Sequence, residues 1–136
     1  MGGSKLIVLD THALVWWVTG DPMLSKKAKA AIEREMEGGE IIVSAISAWE
    51  IALLVEREKI VLSMDVSSWL ATVAEIEAVR FMPIDVEIAT KSVELPGDFH
   101  KDPADRMIVA TARKLAVPLV TKDEKIRAYV HVKTIW

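Results

Sequence analysis

Residues 5–10 have the sequence Lys-Leu-Ile-Val-Leu-Asp, and this stretch decides the fold. Its apolar run is too short for a stable helix and is rich in residues that favour a strand. A strand that is apolar on both faces is typical of a parallel sheet covered by helices on each side. The stretch therefore predicts an α/β protein whose first strand ends at Asp10.

The rest of the chain alternates short apolar stretches with amphipathic ones. Further strands are predicted at 40–44, 79–84, 118–121 and 131–135. Helices are predicted at 11–18, 25–37, 47–58, 65–78, 85–94, 102–116 and 122–128. This alternation predicts a three-layer α/β fold, in which a central parallel sheet of about five short strands is flanked by helices.

Length and composition limit the possible classes of protein. A chain of 136 residues, half of them hydrophobic, suits one domain spanning residues 1–136. The absence of cysteine excludes disulfides and thiolate metal sites, and the net charge of −3 argues against a simple basic nucleic-acid binder. Residues 1–4 lack the features of a secretory signal, and no apolar run approaches about 20 residues. We therefore expect a cytoplasmic protein with no membrane partner.

Four acidic residues from distant parts of the chain are predicted to meet at one edge of the sheet. Asp10 ends the first strand and Asp123 closely follows the strand at 118–121, while Glu50 and Asp105 lie in the first turns of their predicted helices. In a parallel sheet the strands end, and the following helices begin, at the same edge, where sites usually form. These four acids are therefore the predicted catalytic and metal-binding residues.

Each acid also has a purely structural explanation. Ser47 and Glu50 fit a capping box, Asp105 suits the dipole of its helix, and Asp10 and Asp123 suit turns at strand ends. Two carboxylates about 4 Å apart repel by roughly 4 kcal/mol at an effective dielectric of 20, so four would gather only around a cation. The convergence of four acids at one edge of the sheet therefore favours a metal site.

The ligand types indicate which metal and which reaction. An all-oxygen set without cysteine or paired histidines favours Mg²⁺ or Mn²⁺ over zinc. A water activated by such an ion hydrolyses phosphodiesters while the ion screens the developing charge. A phosphoaspartate hydrolase is disfavoured, because the second acid expected two residues after Asp10 is replaced by His12.

Four motifs resemble a known family over essentially the whole chain after Ser4. They are LDTHALVWW at 9–17, SAISAWEIA at 44–52, LPGDFHKDPADRMIVATA at 95–112 and LVTKDEKI at 119–126. Together they are similar to a PIN-domain ribonuclease, and above all to the VapC-type toxins of toxin–antitoxin pairs.

The resemblance implies a PIN-like fold, an activity and several partners. Its first aspartate corresponds to Asp10, the glutamate of its Trp-Glu-Ile helix to Glu50, and its later aspartates to Asp105 and Asp123. The family binds Mg²⁺ or Mn²⁺ at these acids, cleaves RNA as an endoribonuclease, forms homodimers and is inhibited by a cognate antitoxin protein. A PIN-fold nuclease of RNA processing or one acting on structured DNA, and an inactive PIN-fold interaction module, remain alternatives. Asp102 competes with Asp105 for one position, and we assign it to the helix N-cap instead.

Several other residues have expected roles. Thr11 and Thr121 can donate hydrogen bonds to a carboxylate, and Arg106, Lys101 and Lys122 can hold RNA phosphates. Trp16 and Trp17 point about 100° apart on their helix, so we expect one of them to line a groove. There it would stack on a base or contact protein, and we favour the protein contact. Trp49 and Trp69 are expected in the core.

Overall fold

The parallel sheet predicted from the sequence is present in the computed structural model, which describes residues 5–136. The expectation about the segment before Lys5 lies outside the described residues. The strands are β1 Leu6–Leu9, β2 Glu40–Ser44, β3 Val79–Met82, β4 Leu119–Val120 and β5 Thr134–Ile135. The helices are α1 Thr11–Thr19, α2 Lys26–Met36, α3 Ala45–Glu56, α4 Val66–Ala74, α5 Val86–Val93, α6 Pro103–Leu115 and α7 Glu124–Arg127.

All five strands run parallel in the order β3-β2-β1-β4-β5. β1 lies at the centre, with Val8 opposite both Ile42 of β2 and Leu119 of β4. The carboxyl ends of β1, β2 and β4 are therefore neighbours at one edge. This placement is what brings Asp10 close to residues that are far away in sequence.

Two hydrophobic clusters cover the two faces of the sheet, as the three-layer prediction requires. Ile7 and Leu9 pack into one cluster with residues of α1 to α4, whereas Val8 between them packs into the other with residues of α5 to α7. Successive side chains of a strand point to opposite faces, so a strand apolar at every position is buried on both sides. The prediction from residues 5–10 is confirmed.

Helix α3 begins earlier than the sequence analysis predicts. Ser44 at the end of β2 is its N-cap and accepts a hydrogen bond from the N–H of Ile46 at 3.2 Å, so the predicted capping box from Ser47 does not form. Ser47 and Ile51, one helical turn apart, face the interior. Trp49 lies about 200° around the helix from Ser47, and it is 57% exposed. The prediction of a buried Trp49 is wrong for this reason.

A smaller correction concerns α2. Its buried face carries Ala28, Ile32 and Glu35, and Met36, predicted on that face, is exposed. Trp69 on α4 is 4% exposed, so its predicted core position is confirmed. Among residues 5–136, no helix combines the length and apolar character needed to span a membrane.

Candidate active site

A cavity of about 510 Å³ opens at the edge of the sheet where β1, β2 and β4 end. All four acids predicted from the sequence line it. Asp102, which the sequence analysis assigned to capping, lines it as well. Its described lining consists of Asp10, Thr11, His12, Trp16, Glu50, Asp102, Asp105, Lys122, Asp123, Glu124 and Arg127.

Asp10 is the most buried of these acids, with 8% of its surface exposed. Its Oδ1 accepts the N–H of Ala13, and its Oδ2 accepts the hydroxyl of Thr121 at 2.5 Å. Burial raises the pKa of Asp10 from 3.8 to about 6, although both hydrogen bonds act in the opposite direction. The carboxyl is therefore fixed in position, but its two hydrogen bonds do not offset the cost of burying its negative charge.

Three aspartates of the pocket each cap a helix with one oxygen. Asp10 caps α1, Asp102 caps α6 and Asp123 caps α7, in each case through Oδ1 and a backbone N–H three residues later. A capping aspartate uses only one of its two oxygens in this bond. The structural and functional explanations offered for these residues are therefore compatible.

Thr121 connects two of the acids. Its hydroxyl donates to Asp10 and accepts the backbone N–H of Asp123 at 3.0 Å. The side chain is fully buried. Thr121 thus fixes the turn after β4 relative to the end of β1, and the prediction that it donates to a carboxylate is confirmed.

Glu50 is held by a chain of hydroxyl groups. The hydroxyl of Thr11 donates to Oε1 of Glu50, and Ser47 Oγ lies 2.9 Å from the Thr11 oxygen. Since Thr11 has a single hydroxyl hydrogen, Ser47 is the donor in the second bond. Burial raises the pKa of Glu50, and the nearby Asp102 adds to this rise. Sequence reasoning misses this role of Ser47, because the spacing between Ser47 and Glu50 predicts a capping box instead.

Glu50, Asp102 and Asp105 are the closest group of acids. Each offers an oxygen within 4.8 Å of the others, and among residues 5–136 neither Asp10 nor Asp123 joins this triad. The pKa of Asp105 rises from 3.8 to about 7, first through burial and then through repulsion from neighbouring acids, of which Asp102 and Asp123 act most strongly. Carboxylates crowded so that one retains its proton near neutral pH form a centre suited to a divalent cation.

His100 is a further residue that the sequence analysis did not assign. Its Nε2 lies 3.2 Å from Oδ2 of Asp105, off the direction of a hydrogen bond, and is buried with no other partner among residues 5–136. Its Nδ1 lies 3.4 Å from the N–H of Asp102. The only sequence signal was its place between Phe99 and the acids of the same motif.

Arg106 does not have the role predicted for it. Its guanidinium donates to four backbone carbonyls, those of Ser92, Val93, Phe99 and His100. These bonds tie the end of α5 to the loop before α6. Arg106 therefore positions that loop and is not free to hold an RNA phosphate.

One wall of the pocket carries aromatic and basic side chains, whereas the rest of the pocket is acidic. Lys122 Nζ lies 5.8 Å from the ring centre of Trp16, and the rings of His12 and Trp136 pack against Trp16 at 5.5 and 5.9 Å. Trp17 instead packs against the hydrophobic core. Trp16 is thus the tryptophan that lines the groove, as expected for one of the pair.

Fold and site together define an α/β protein with an acidic pocket at the carboxyl edge of a parallel sheet. The sequence matches the PIN domain over residues 7–132. It is 42% identical over 132 residues to Ribonuclease VapC22 of Mycobacterium tuberculosis, covering 96% of this chain and 98% of that protein. The chain therefore belongs to the PIN domain family, among its VapC-type members.

Solved structures share the fold at low sequence identity. VapBC2 from Rickettsia felis, bound to a promoter DNA fragment, matches with a TM-score of 0.70 and 16% identity over 96% of this chain and 97% of that one. DNA-bound VapBC from Salmonella typhimurium matches with a TM-score of 0.67 and 16% identity over 94% of this chain and 95% of that one. The PIN-like, three-layer α/β architecture predicted from the sequence is confirmed.

Proposed function

We propose that this protein is a metal-dependent endoribonuclease that hydrolyses RNA phosphodiesters, and that residues 1–136 act as a single nuclease domain. The observation that carries the proposal is the convergence of Glu50, Asp102 and Asp105, with Asp10 and Asp123 in the same pocket. The similarity to a ribonuclease along nearly the whole chain supports RNA as the substrate. The raised pKa of Asp105 supports a cation as the missing compensating charge.

We propose Mg²⁺ or Mn²⁺ as the cofactor, held by Asp10, Glu50, Asp105 and Asp123, with Asp102 as a fifth carboxylate. The donor set is entirely oxygen, which suits hard divalent ions. When bound, such an ion would activate a water for attack and screen the charge that develops on the phosphodiester.

The surrounding residues hold the carboxylates in place for this reaction. Thr11 orients Glu50, and Thr121 orients Asp10 while fixing the backbone of Asp123. Residues that orient metal ligands from behind typically contribute 10–100-fold to metal affinity or activity. The hydroxyl groups of this pocket are therefore part of the proposed catalytic machinery.

A cleavage assay with a matched pair of variants tests the activity. Glu50→Gln removes one carboxylate of the triad, whereas Glu56→Gln makes the same change at an exposed position on the same helix. We expect wild type and Glu56→Gln to cut single-stranded RNA with added Mg²⁺ or Mn²⁺, and Glu50→Gln to be inactive. Cleavage that persists in repurified Glu50→Gln, or that is unchanged by a chelator, would contradict the proposal.

We further propose that the protein is the toxin of a toxin–antitoxin pair and acts in the cytoplasm, where its substrate lies. The similarity to VapC22 and the occurrence of VapBC complexes among proteins of the same fold support this. The partner would be a cognate antitoxin that covers the pocket. Copurification with the product of an adjacent small gene, together with inhibition of RNA cleavage, tests it; an adjacent gene product that neither binds nor inhibits would count against it.

We also propose a homodimer. Val86 and Val93 are 81% and 77% exposed, and their seven-residue spacing places them on one face of α5. A second copy would cover this apolar face. Light scattering at several protein concentrations should give twice the monomer mass of 15.1 kDa; a monomer throughout would refute the dimer.

A further inference from the structure

We propose that Trp16, together with Lys122 and Arg127, forms a subsite in which an unpaired RNA nucleobase stacks on the indole ring while the two cations hold its phosphate. This inference rests on the proposed ribonuclease function and extends it. It assigns a substrate-binding role to the wall of the pocket that carries no metal-binding acid. It also requires a single-stranded segment, because a paired base has no free face to stack.

The geometry of Trp16 supports stacking. The residue lies in the second turn of α1 and lines the same cavity as Asp10 at the helix start. It is only partly buried, and its ring is held by tilted contacts with His12 and Trp136. An aromatic ring that is fixed by neighbours and open to a pocket loses little conformational freedom when a ligand binds.

The charges of the pocket require a cationic wall. Within the described lining, six side chains are carboxylic acids, and an approaching polyanion is repelled by each acid that no metal ion neutralises. Lys122 and Arg127 are the basic side chains of that lining, apart from the histidine, and both are exposed. The Lys122 ammonium beside the Trp16 ring places a phosphate partner next to a stacking surface.

Trp16 shares one cavity with the Glu50 triad, so a strand bound for cleavage must pass close to it. The sequence alone suggested a protein contact for the exposed tryptophan, and an antitoxin that covers the pocket would reach the same ring. Base–aromatic stacking with adjacent cations is the usual way in which proteins hold single strands.

Binding of defined oligonucleotides tests the subsite. The probes are a fluorescent oligoadenylate octamer and an octamer of abasic ribose phosphate with the same charge, titrated with Mg²⁺ into the Glu50→Gln protein to prevent cleavage. Trp16→Leu removes the stacking surface, Trp16→Phe retains an aromatic ring, and Trp49→Leu is the control at an exposed tryptophan outside the pocket. Circular dichroism confirms folding of each variant.

We expect Trp16→Leu to bind oligoadenylate about ten-fold more weakly, while Trp16→Phe and Trp49→Leu stay close to the parent protein. The abasic octamer should bind weakly to every variant. Equal binding by Trp16→Leu and Trp49→Leu would overturn the proposal, as would equal binding of the two probes to the parent. If Trp16→Leu fails to fold, tryptophan fluorescence tests the proposal instead. Oligoadenylate should quench the fluorescence of the parent protein and the abasic probe should not. Trp16→Phe should lose that quenching and keep its affinity for oligoadenylate.

The cationic part of the subsite has its own measurement. Lys122→Gln should lower the slope of log affinity against log salt by about 0.7, the value for one phosphate on a single strand, and Lys29→Gln on α2 should leave it unchanged. An unchanged slope in Lys122→Gln would remove that residue from the site. RNA cleavage by the wild type and by Trp16→Leu is measured in parallel. If both proteins cleave equally well, this inference alone is overturned. If binding depends on Trp16 but the wild type does not cleave RNA, the proposed function alone is overturned.

Discussion

Replacing Asp105 by asparagine should make the metal-free protein more stable while abolishing its activity. Asparagine has nearly the same shape, and its carbonyl oxygen can still face His100, but it carries no charge. The carboxyl of Asp105 is largely buried and is repelled by the acids around it. In the absence of a cation, the ionised side chain therefore opposes folding.

The pKa of Asp105 gives the size and the pH range of this effect. Its rise from 3.8 to about 7 means that between these pH values the folded protein binds more protons than the unfolded chain, so stability falls as pH rises. At about 1.4 kcal/mol per pKa unit the full loss is about 4 kcal/mol. The side chain is 23% exposed, so water screens part of this energy and we expect about 2 kcal/mol.

Thermal unfolding in a chelating buffer measures the effect. At pH 7.5 and above, Asp105→Asn should unfold about 6 °C higher than wild type, and the difference should vanish near pH 4, where both side chains are neutral. Asp98→Asn, which removes a charge from an exposed loop, should change little. An Asp105→Asn protein that is equally or less stable at pH 7.5 would refute the claim that the carboxylates repel one another in the folded state.

Three further predictions concern the carboxylates and the residues that hold them in place. Thr121→Val should reduce metal affinity and RNA cleavage by about 10–100-fold, because it removes the donor to Asp10, whereas the buried Thr111→Val on α6 should retain activity; equal activity of the two variants would contradict this. Arg106→Met should lower the free energy of unfolding by about 3 kcal/mol in a denaturant titration, since four carbonyls lose a charged donor, and a change below about 0.5 kcal/mol would refute its positioning role. Metal affinity should fall as pH drops from 8 to 6, because protons compete for Asp105 and Asp10, whose pKa values are about 7 and about 6; calorimetry showing a pH-independent affinity would contradict the competition.

The sequence could predict the features of the fold that depend on local pattern. The run at 6–9 is apolar at every position, which specifies a strand buried on both faces, and parallel strands bring their ends to one edge. The positions of Asp10 and Asp123 follow from that rule alone. That the acids meet in one pocket could be predicted from the sequence for the same reason.

What the sequence could not predict depends on competition between equivalent local signals. Ser44 and Ser47 are both good N-caps, and only packing selects Ser44, which turns Trp49 outward and Ser47 towards Thr11. Asp102 and Asp105 seemed to be alternatives, because a single sequence does not show that a capping aspartate keeps one oxygen free. Arg106 next to a predicted metal ligand suggested phosphate binding, and only the path of the loop before α6 shows its four carbonyl partners.

Crystals of the protein soaked with Mn²⁺ provide the most direct measurement of the central claim. Anomalous scattering should place a manganese ion in the acidic pocket, held by carboxylate oxygens of Glu50 and Asp105 and surrounded by those of Asp10, Asp102 and Asp123. The same soak with Glu50→Gln crystals should give a much weaker peak. A manganese ion bound elsewhere, or an empty pocket in protein that still cleaves RNA, would contradict the account.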